Sequence, residues 1–272
     1  MKVQFHKYHG LGNDFILIAD GDGTIRPQMD LEQIRRLCDR HTGIGADGAI
    51  FCTASEIADH RMILFNADGS PAEISGNGLR CFVLFLKALG HRVDDDFQIE
   101  TGGGVMRARR LSEQTVETTM PLPTFAGNGH RLDPFKATVD GETFSIFPVT
   151  VGNPHGVIFG PQRDIEFAKK YGPKLERHER FPEGANIEFV HVLNEHACKL
   201  VVWERGAGIT MACGSGSVAT AAAGCALGLF EFDTPIAIEQ PGGQLFITVS
   251  SKYKEIRQRG PAEFVFSGEF EL

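Results

Sequence analysis

The fold is decided by Ser75-Gly76-Asn77-Gly78, with the apolar run Gly78 to Leu89 behind it, and by its counterpart Cys213-Gly214-Ser215-Gly216, with the alanine-rich run Ser217 to Leu229. Each is a small nucleophilic side chain, a Gly-x-Gly turn, and a helical pattern that is apolar on nearly every side, as a helix buried all round must be. Working outward, Gly45-Ala46-Asp47 is echoed by Gly184-Ala185-Asn186. Gly12-Asn13-Asp14-Phe15 is echoed by Gly152-Asn153-Pro154-His155. Position 13 maps to 153, 45 to 184 and 75 to 213, in the same order and at a nearly constant offset, which implies an internal duplication. Short β-branched or aromatic runs at Phe15 to Ile18, Arg61 to Phe65, Gly156 to Phe159, Ile187 to Val192 and Lys199 to Trp203 predict strands. Leu31 to Arg40 predicts a further helix. The expected class is α/β (α+β) with two pseudo-symmetric domains, 1–118 and 119–262, divided in the turn-rich region Pro121 to Gly129. A last strand at 263–272 is expected to complete the first domain.

The bulk properties narrow the function. A chain of 272 residues has room for two modest domains. Its net charge of −8 argues against a nucleic-acid surface. No stretch approaches the roughly 20 apolar residues of a membrane helix, and Met1 to Tyr8 alternates like a strand rather than a secretory signal. The reading is a cytoplasmic protein with no nucleic-acid or membrane partner. Cys38, Cys52, Cys81, Cys198, Cys213 and Cys225 are scattered without a CxxC pair, so neither a disulfide framework nor a metal site is expected. The charge run Glu176 to Arg180 reads as a solvated face.

The two glycine loops carry the chemistry. The first N–H groups of a helix lack internal partners and bear partial positive charge, so they can hold a carboxylate and lower the pKa of an adjacent cysteine. In a duplicated chain, two such loops facing one cleft would place residues 75 and 213 on opposite faces of an amino-acid Cα. That suits proton removal from one face and return to the other, with both helix termini stabilising the carbanion. A phosphate site is the competing use of such loops, but neither has the Gly-Lys-Ser/Thr of a P-loop or the dinucleotide fingerprint.

Lys7 through Phe15, Gly43-Ile44-Gly45-Ala46-Asp47-Gly48, Asn66 through Ser70, Glu73 through Cys81, Gly152-Asn153-Pro154-His155, Gly184-Ala185-Asn186, Glu204 through Gly208 and Thr210 through Gly216 together resemble the diaminopimelate epimerase family, in family order. The resemblance implies two pseudo-symmetric domains, each a sheet wrapped around a central buried helix. It also implies interconversion of LL- and meso-diaminopimelate without pyridoxal phosphate, metal or other cofactor, and often a homodimer. The partner it implies is a small-molecule amino-acid substrate, diaminopimelate. Its binding residues would be Asn13, Asn66, Asn153, Asn186, Glu204 and Arg205, with the backbones of Gly76, Asn77, Gly214 and Ser215. Asparagines donate and accept, Glu204 suits an ammonium, and Arg205 suits a distal carboxylate. Asn66 and Asn186 are also typical turn residues.

Two positions depart from the pattern. Ser75 stands where the family has its first catalytic cysteine, so the catalytic pair implied by the resemblance would be Cys213 and Ser75, and Ile209 stands where glutamate is usual. A hydroxyl is a far weaker acid than a thiol and needs a neighbouring base to take a proton. The readings left open are an engineered block, a natural epimerase with altered chemistry, a racemase of another amino acid, a one-base dehydratase, and an inactive amino-acid-binding protein.

Overall fold

The computed structural model describes residues 1–125 and 132–272, so the expected boundary region lies partly outside the described residues. In chain order the elements are β1 (Lys2–Gly10), β2 (Asn13–Ala19), α1 (Leu31–Cys38), β3 (Gly48–Thr53), β4 (His60–Asn66), β5 (Pro71–Ala72), α2 (Gly76–Ala88), β6 (Phe97–Thr101), β7 (Gly104–Arg110), β8 (Thr115–Met120), β9 (Thr124–Phe125), β10 (Phe135–Val139), β11 (Glu142–Val151), β12 (Asn153–Phe159), α3 (Ile165–Glu176), β13 (Asn186–Asn194), β14 (Ala197–Glu204), β15 (Gly208–Ile209), α4 (Gly214–Ala226), β16 (Pro235–Gln240), β17 (Gly243–Val249), β18 (Ile256–Pro261) and β19 (Glu263–Glu271). They form two compact units, Met1–Thr119 with Arg259–Leu272, and Met120–Gln258.

In the first unit β1 lies between β19 and β2, antiparallel to both. The ladder continues with β2 parallel to β3, β3 antiparallel to β4, β4 parallel to β6 and β6 antiparallel to β7. Parallel neighbours need a crossover, and the two parallel steps here are bridged by α1 and α2. Helix α2 is buried from Gly76 through Leu86. Its Leu79, Phe82, Val83, Phe85 and Leu86 pack with Tyr8, Phe15, Leu17, Ile50, Leu64 and Ile99, each such side chain contributing about 1.5–3 kcal/mol. The β1–β2 connection is a two-residue turn, Leu11-Gly12, with both residues at positive φ. This is the geometry that matches strand twist in a hairpin.

The second unit repeats this plan. β11 is antiparallel to β12, β12 parallel to β13, β13 antiparallel to β14, β14 parallel to β16 and β16 antiparallel to β17. Its parallel steps are bridged by α3 and α4. Helix α4 is lined by Val218, Ala219, Ala221, Ala222 and Ala223, all fully buried. The duplication read from the sequence is therefore a duplication of topology.

Two local details differ from the sequence reading. The first helix ends at Cys38 rather than Arg40 because Asp39 turns extended and its carboxylate accepts the N–H groups of His41 and Thr42. Helix α3 was not anticipated, because Gly172-Pro173 breaks its pattern. Gly172 is there for room: a Cβ at that position would sit 2.4 Å from Trp203 Cγ. Glu176 is not part of a solvated run. It ends α3 and accepts the Trp203 indole N–H at 2.6 Å.

Candidate active site

Both loops are helix N-caps of the same conformation. Ser75 (φ −135°, ψ 120°) precedes α2, and its Oγ accepts the Gly78 N–H at 3.1 Å. Cys213 (φ −116°, ψ 115°) precedes α4, and its Sγ accepts the Gly216 N–H at 3.3 Å. Serine is among the preferred caps, whereas cysteine is not. Local structure therefore accounts for Ser75 but not for Cys213, whose place at the cap calls for a chemical reason.

In the first unit a continuous polar chain runs from α2 to the β1–β2 hairpin. Arg80 Nη2 donates to Asn77 Oδ1 at 2.7 Å, Asn77 Nδ2 donates to Asn13 Oδ1 at 3.1 Å, and Asn13 Nδ2 donates to Asp47 Oδ2 at 2.8 Å. Arg40 then bridges Asp47 and Asp14, and Lys7 pairs with Asp14 at 2.8 Å. The amide of Asn13 is thus oriented at both ends. Burial works against the Asp14 carboxylate, but hydrogen bonds from Arg40 and Lys7 hold its pKa down to about 2. A depressed carboxylate stabilises the fold above its unfolded pKa of about 4, and that contribution is lost as pH falls from about 4 to about 2. Asp14→Asn is expected to cost about 2 kcal/mol at neutral pH and to flatten the acid limb of stability. Urea titrations at pH 7 and pH 3 measure this, and a variant with the parental acid limb would contradict it.

In the second unit His155 and Glu188 are fully buried partners, Nδ1 to Oε1 at 2.7 Å, and His155 Nε2 meets Asn153 Oδ1 at 2.8 Å. Asn186 Nδ2 donates to Pro154 O, and its Oδ1 accepts the Arg205 N–H, so this amide ties two strand ends together. The exposed side chain of Arg205 donates from Nη1 to the main-chain carbonyl of Glu183. Glu204 accepts from the Thr210 hydroxyl. Burial raises the Glu204 pKa, against opposing hydrogen bonds from Thr210 and the Cys213 thiol. Cys213 itself is 4% exposed. Burial, then the carboxylates of Glu204 and Glu188, push its thiol well above the usual range, outweighing the Ser215 hydroxyl and the Gly216 N–H. The lowered pKa expected from the helix terminus is therefore reversed, and burial with the two carboxylates favours the thiol form of Cys213.

This geometry can be set beside known proteins. The family model described as diaminopimelate epimerase matches residues 5–123 and 147–265. The chain belongs to the diaminopimelate epimerase family. It is 42% identical to the diaminopimelate epimerase of Nostoc punctiforme over 99% of this chain and 100% of that one. It is 39% identical to that of Synechocystis over the full length of both. The fold is shared more widely. A phenazine biosynthesis protein of the PhzF family from Bacillus anthracis superposes with a TM-score of 0.74 over the whole of both chains at 17% identity.

Against the epimerase pattern, Ser75, Gly76, Asn77 and Asn13 come together at the N-terminus of α2. Cys213, Gly214, Ser215 and Glu204 come together at that of α4. Asn66 is exposed at the end of β4, and its Nδ2 donates to Ser70 Oγ across a tight turn. Ile209 lies in β15 and packs with Trp203 in an apolar cluster of the second unit. Sequence reasoning missed Glu188, Thr210, Ser217 and Gln240. Glu188 had a signal, as the one charged residue within the apolar strand Asn186 to Val190.

Proposed function

We propose that this chain acts on diaminopimelate at Cα, with Cys213 and Ser75 as the groups on its two faces. The observation carrying this reading is that both side chains cap a buried helix in the same backbone conformation, in a chain of the diaminopimelate epimerase family. Each helix N-terminus offers N–H groups to the α-carboxylate. Glu204 would take the α-ammonium and Arg205 the distal carboxylate, with Asn13, Asn66, Asn153 and Asn186 completing the polar shell. The two compact units are proposed as the two catalytic domains.

The proton inventory sets the rate. Racemisation needs one base and one acid, and here Cys213 rests as a thiol while Ser75 carries a hydroxyl. Once Cys213 loses its proton, its thiolate can take the Cα proton from its own face and give it back there. Return from the other face would leave an alkoxide on Ser75, which no side chain bonded to its Oγ relieves among the described contacts. The expected behaviour is deuterium entry from D2O into the isomer whose Cα–H faces Cys213, rising with pH, with slow inversion. Proton NMR and chiral chromatography after incubation with LL- and meso-diaminopimelate test this. If neither isomer exchanges, even in a Ser75→Cys variant, the diaminopimelate reading fails, and another amino acid or a binding-only role replaces it.

The same reading includes a cytoplasmic location and a homodimer. Phe264, Val265 and Phe266 on β19 are exposed consecutively, at 53%, 46% and 42%. This exposed apolar run supports an association surface on β19. Phe266→Glu is expected to convert a dimer to a monomer in sedimentation, and a parental chain that sediments as a monomer would exclude the dimer.

A further inference from the structure

The backbone around Cys213 is held by a polar ring that the reaction scheme does not use. The Cys213 N–H donates to Gln240 Oε1 at 2.8 Å. Gln240 Nε2 donates to Ser217 Oγ at 3.0 Å, and Ser217 Oγ donates to Cys213 O at 2.8 Å. Beside the ring, Gln258 Nε2 donates to Gly214 O at 3.1 Å. Gln240, Ser217 and Gln258 are all buried. Buried amides and hydroxyls weaken a core unless every partner is met, so this set has to be explained by what it holds.

The duplicated unit supplies the control. The helix position matching Ser217 is Leu79, which is buried in the apolar core. The strand-end position matching Gln240 is Thr101, whose hydroxyl donates to Gly104 O instead. The same topology thus forms around the Ser75 cap with an apolar residue where the ring would be, and the ring belongs to the loop that carries the thiol. We infer that Gln240 and Ser217 are positioning residues for Cys213. They fix the peptide units on either side of it and so keep Sγ on the Gly216 N–H, where the helix terminus can stabilise a thiolate.

This inference rests on Cys213 being the proton-transfer group, and it is tested without substrate. Cys213 is faced by Glu204 from β14, Glu188 from β13, Ser215 from its own loop and, beyond Glu188, His155 from β12. None of these is altered in the variants. Iodoacetamide alkylation of Cys213 is followed by peptide-resolved mass spectrometry from pH 8 to pH 12, the alkaline range into which burial and the neighbouring carboxylates push its ionisation, with thermal melting recorded alongside. Gln240→Leu is expected to slow alkylation on the order of tenfold at fixed pH, an upward shift of about one unit in the midpoint. Ser217→Ala should shift it less, in the same direction, and Ser217→Thr should keep the parental profile. A merely structural ring would lower the melting temperature and leave the midpoint alone. A folded Gln240→Leu protein with the parental midpoint overturns the inference. If that variant does not fold, Ser217→Ala with the parental midpoint does so. A chain inert toward diaminopimelate whose midpoint still shifts would reject the proposed function and leave this inference standing.

Discussion

Ser75→Cys is expected to raise inversion of LL-diaminopimelate by about 10²–10⁴-fold, the usual worth of a correctly placed acid or base, while changing KM little. The reason is local. Oγ of Ser75 already occupies the cap position and accepts the Gly78 N–H, as Cys213 Sγ accepts that of Gly216. A sulfur there inherits a site whose backbone is already set, and a thiol can both release and return a proton near neutral pH. Its cost is the weaker cap, about 0.5–1 kcal/mol of stability. The measurement is the ratio of inversion to deuterium entry in the two proteins. A variant that inverts no faster than its parent would show that position 75 does not contact Cα.

Arg80→Met is expected to be the most destabilising single change, at about 3–5 kcal/mol. The guanidinium is fully buried at the start of α2. It donates from Nε to Pro261 O at 3.0 Å, from Nη1 to Gly76 O at 3.1 Å and from Nη2 to Asn77 Oδ1 at 2.7 Å. Methionine keeps much of the stem volume but strips donors from these acceptors, and each buried unsatisfied group costs about 1–3 kcal/mol. Burial lowers the Arg80 pKa to about 10, so it stays charged at neutral pH. Loss of the side chain also releases Asn77 and, through it, Asn13, so KM should rise with kcat less affected. Urea unfolding and steady-state kinetics check both parts, and a loss under 1 kcal/mol would show that the acceptors find other donors.

The duplication was legible because its signals are local. A nucleophile, Gly-x-Gly and an all-round apolar run can be read in one window, and their order repeats. Helices α2 and α4 begin within a few residues of where the pattern placed them. Helix α3 was not legible because Gly172 obeys a neighbour distant in sequence, the Trp203 indole, rather than helix propensity, and Pro173 interrupts the helical pattern beside it. The sites divide in the same way. Ser75 and Cys213 announce themselves by position at a cap. Gln240 is separated from Cys213 by 27 residues, and only the folded ladder of β16 and β17 brings its amide to that peptide. The reversed thiol pKa was hidden for the same reason: it comes first from burial in the folded core, then from Glu204 and Glu188, which reach Cys213 from two different strands.

The pairing of β1 with β19 has a consequence for how the molecule is made. The second unit, Met120–Gln258, emerges from the ribosome with all its partners in hand. The first strand of the chain must wait for Glu263–Glu271 before its Lys2–His9 ladder can close. At 5–20 residues per second that is a delay of roughly 13–50 s. Throughout that interval the backbone groups of β1 on that side, and the aromatic side chains of Phe5 and Tyr8, lack their strand neighbour. The unit encoded first is therefore the one completed last, and until then its nascent form carries an unpaired strand edge.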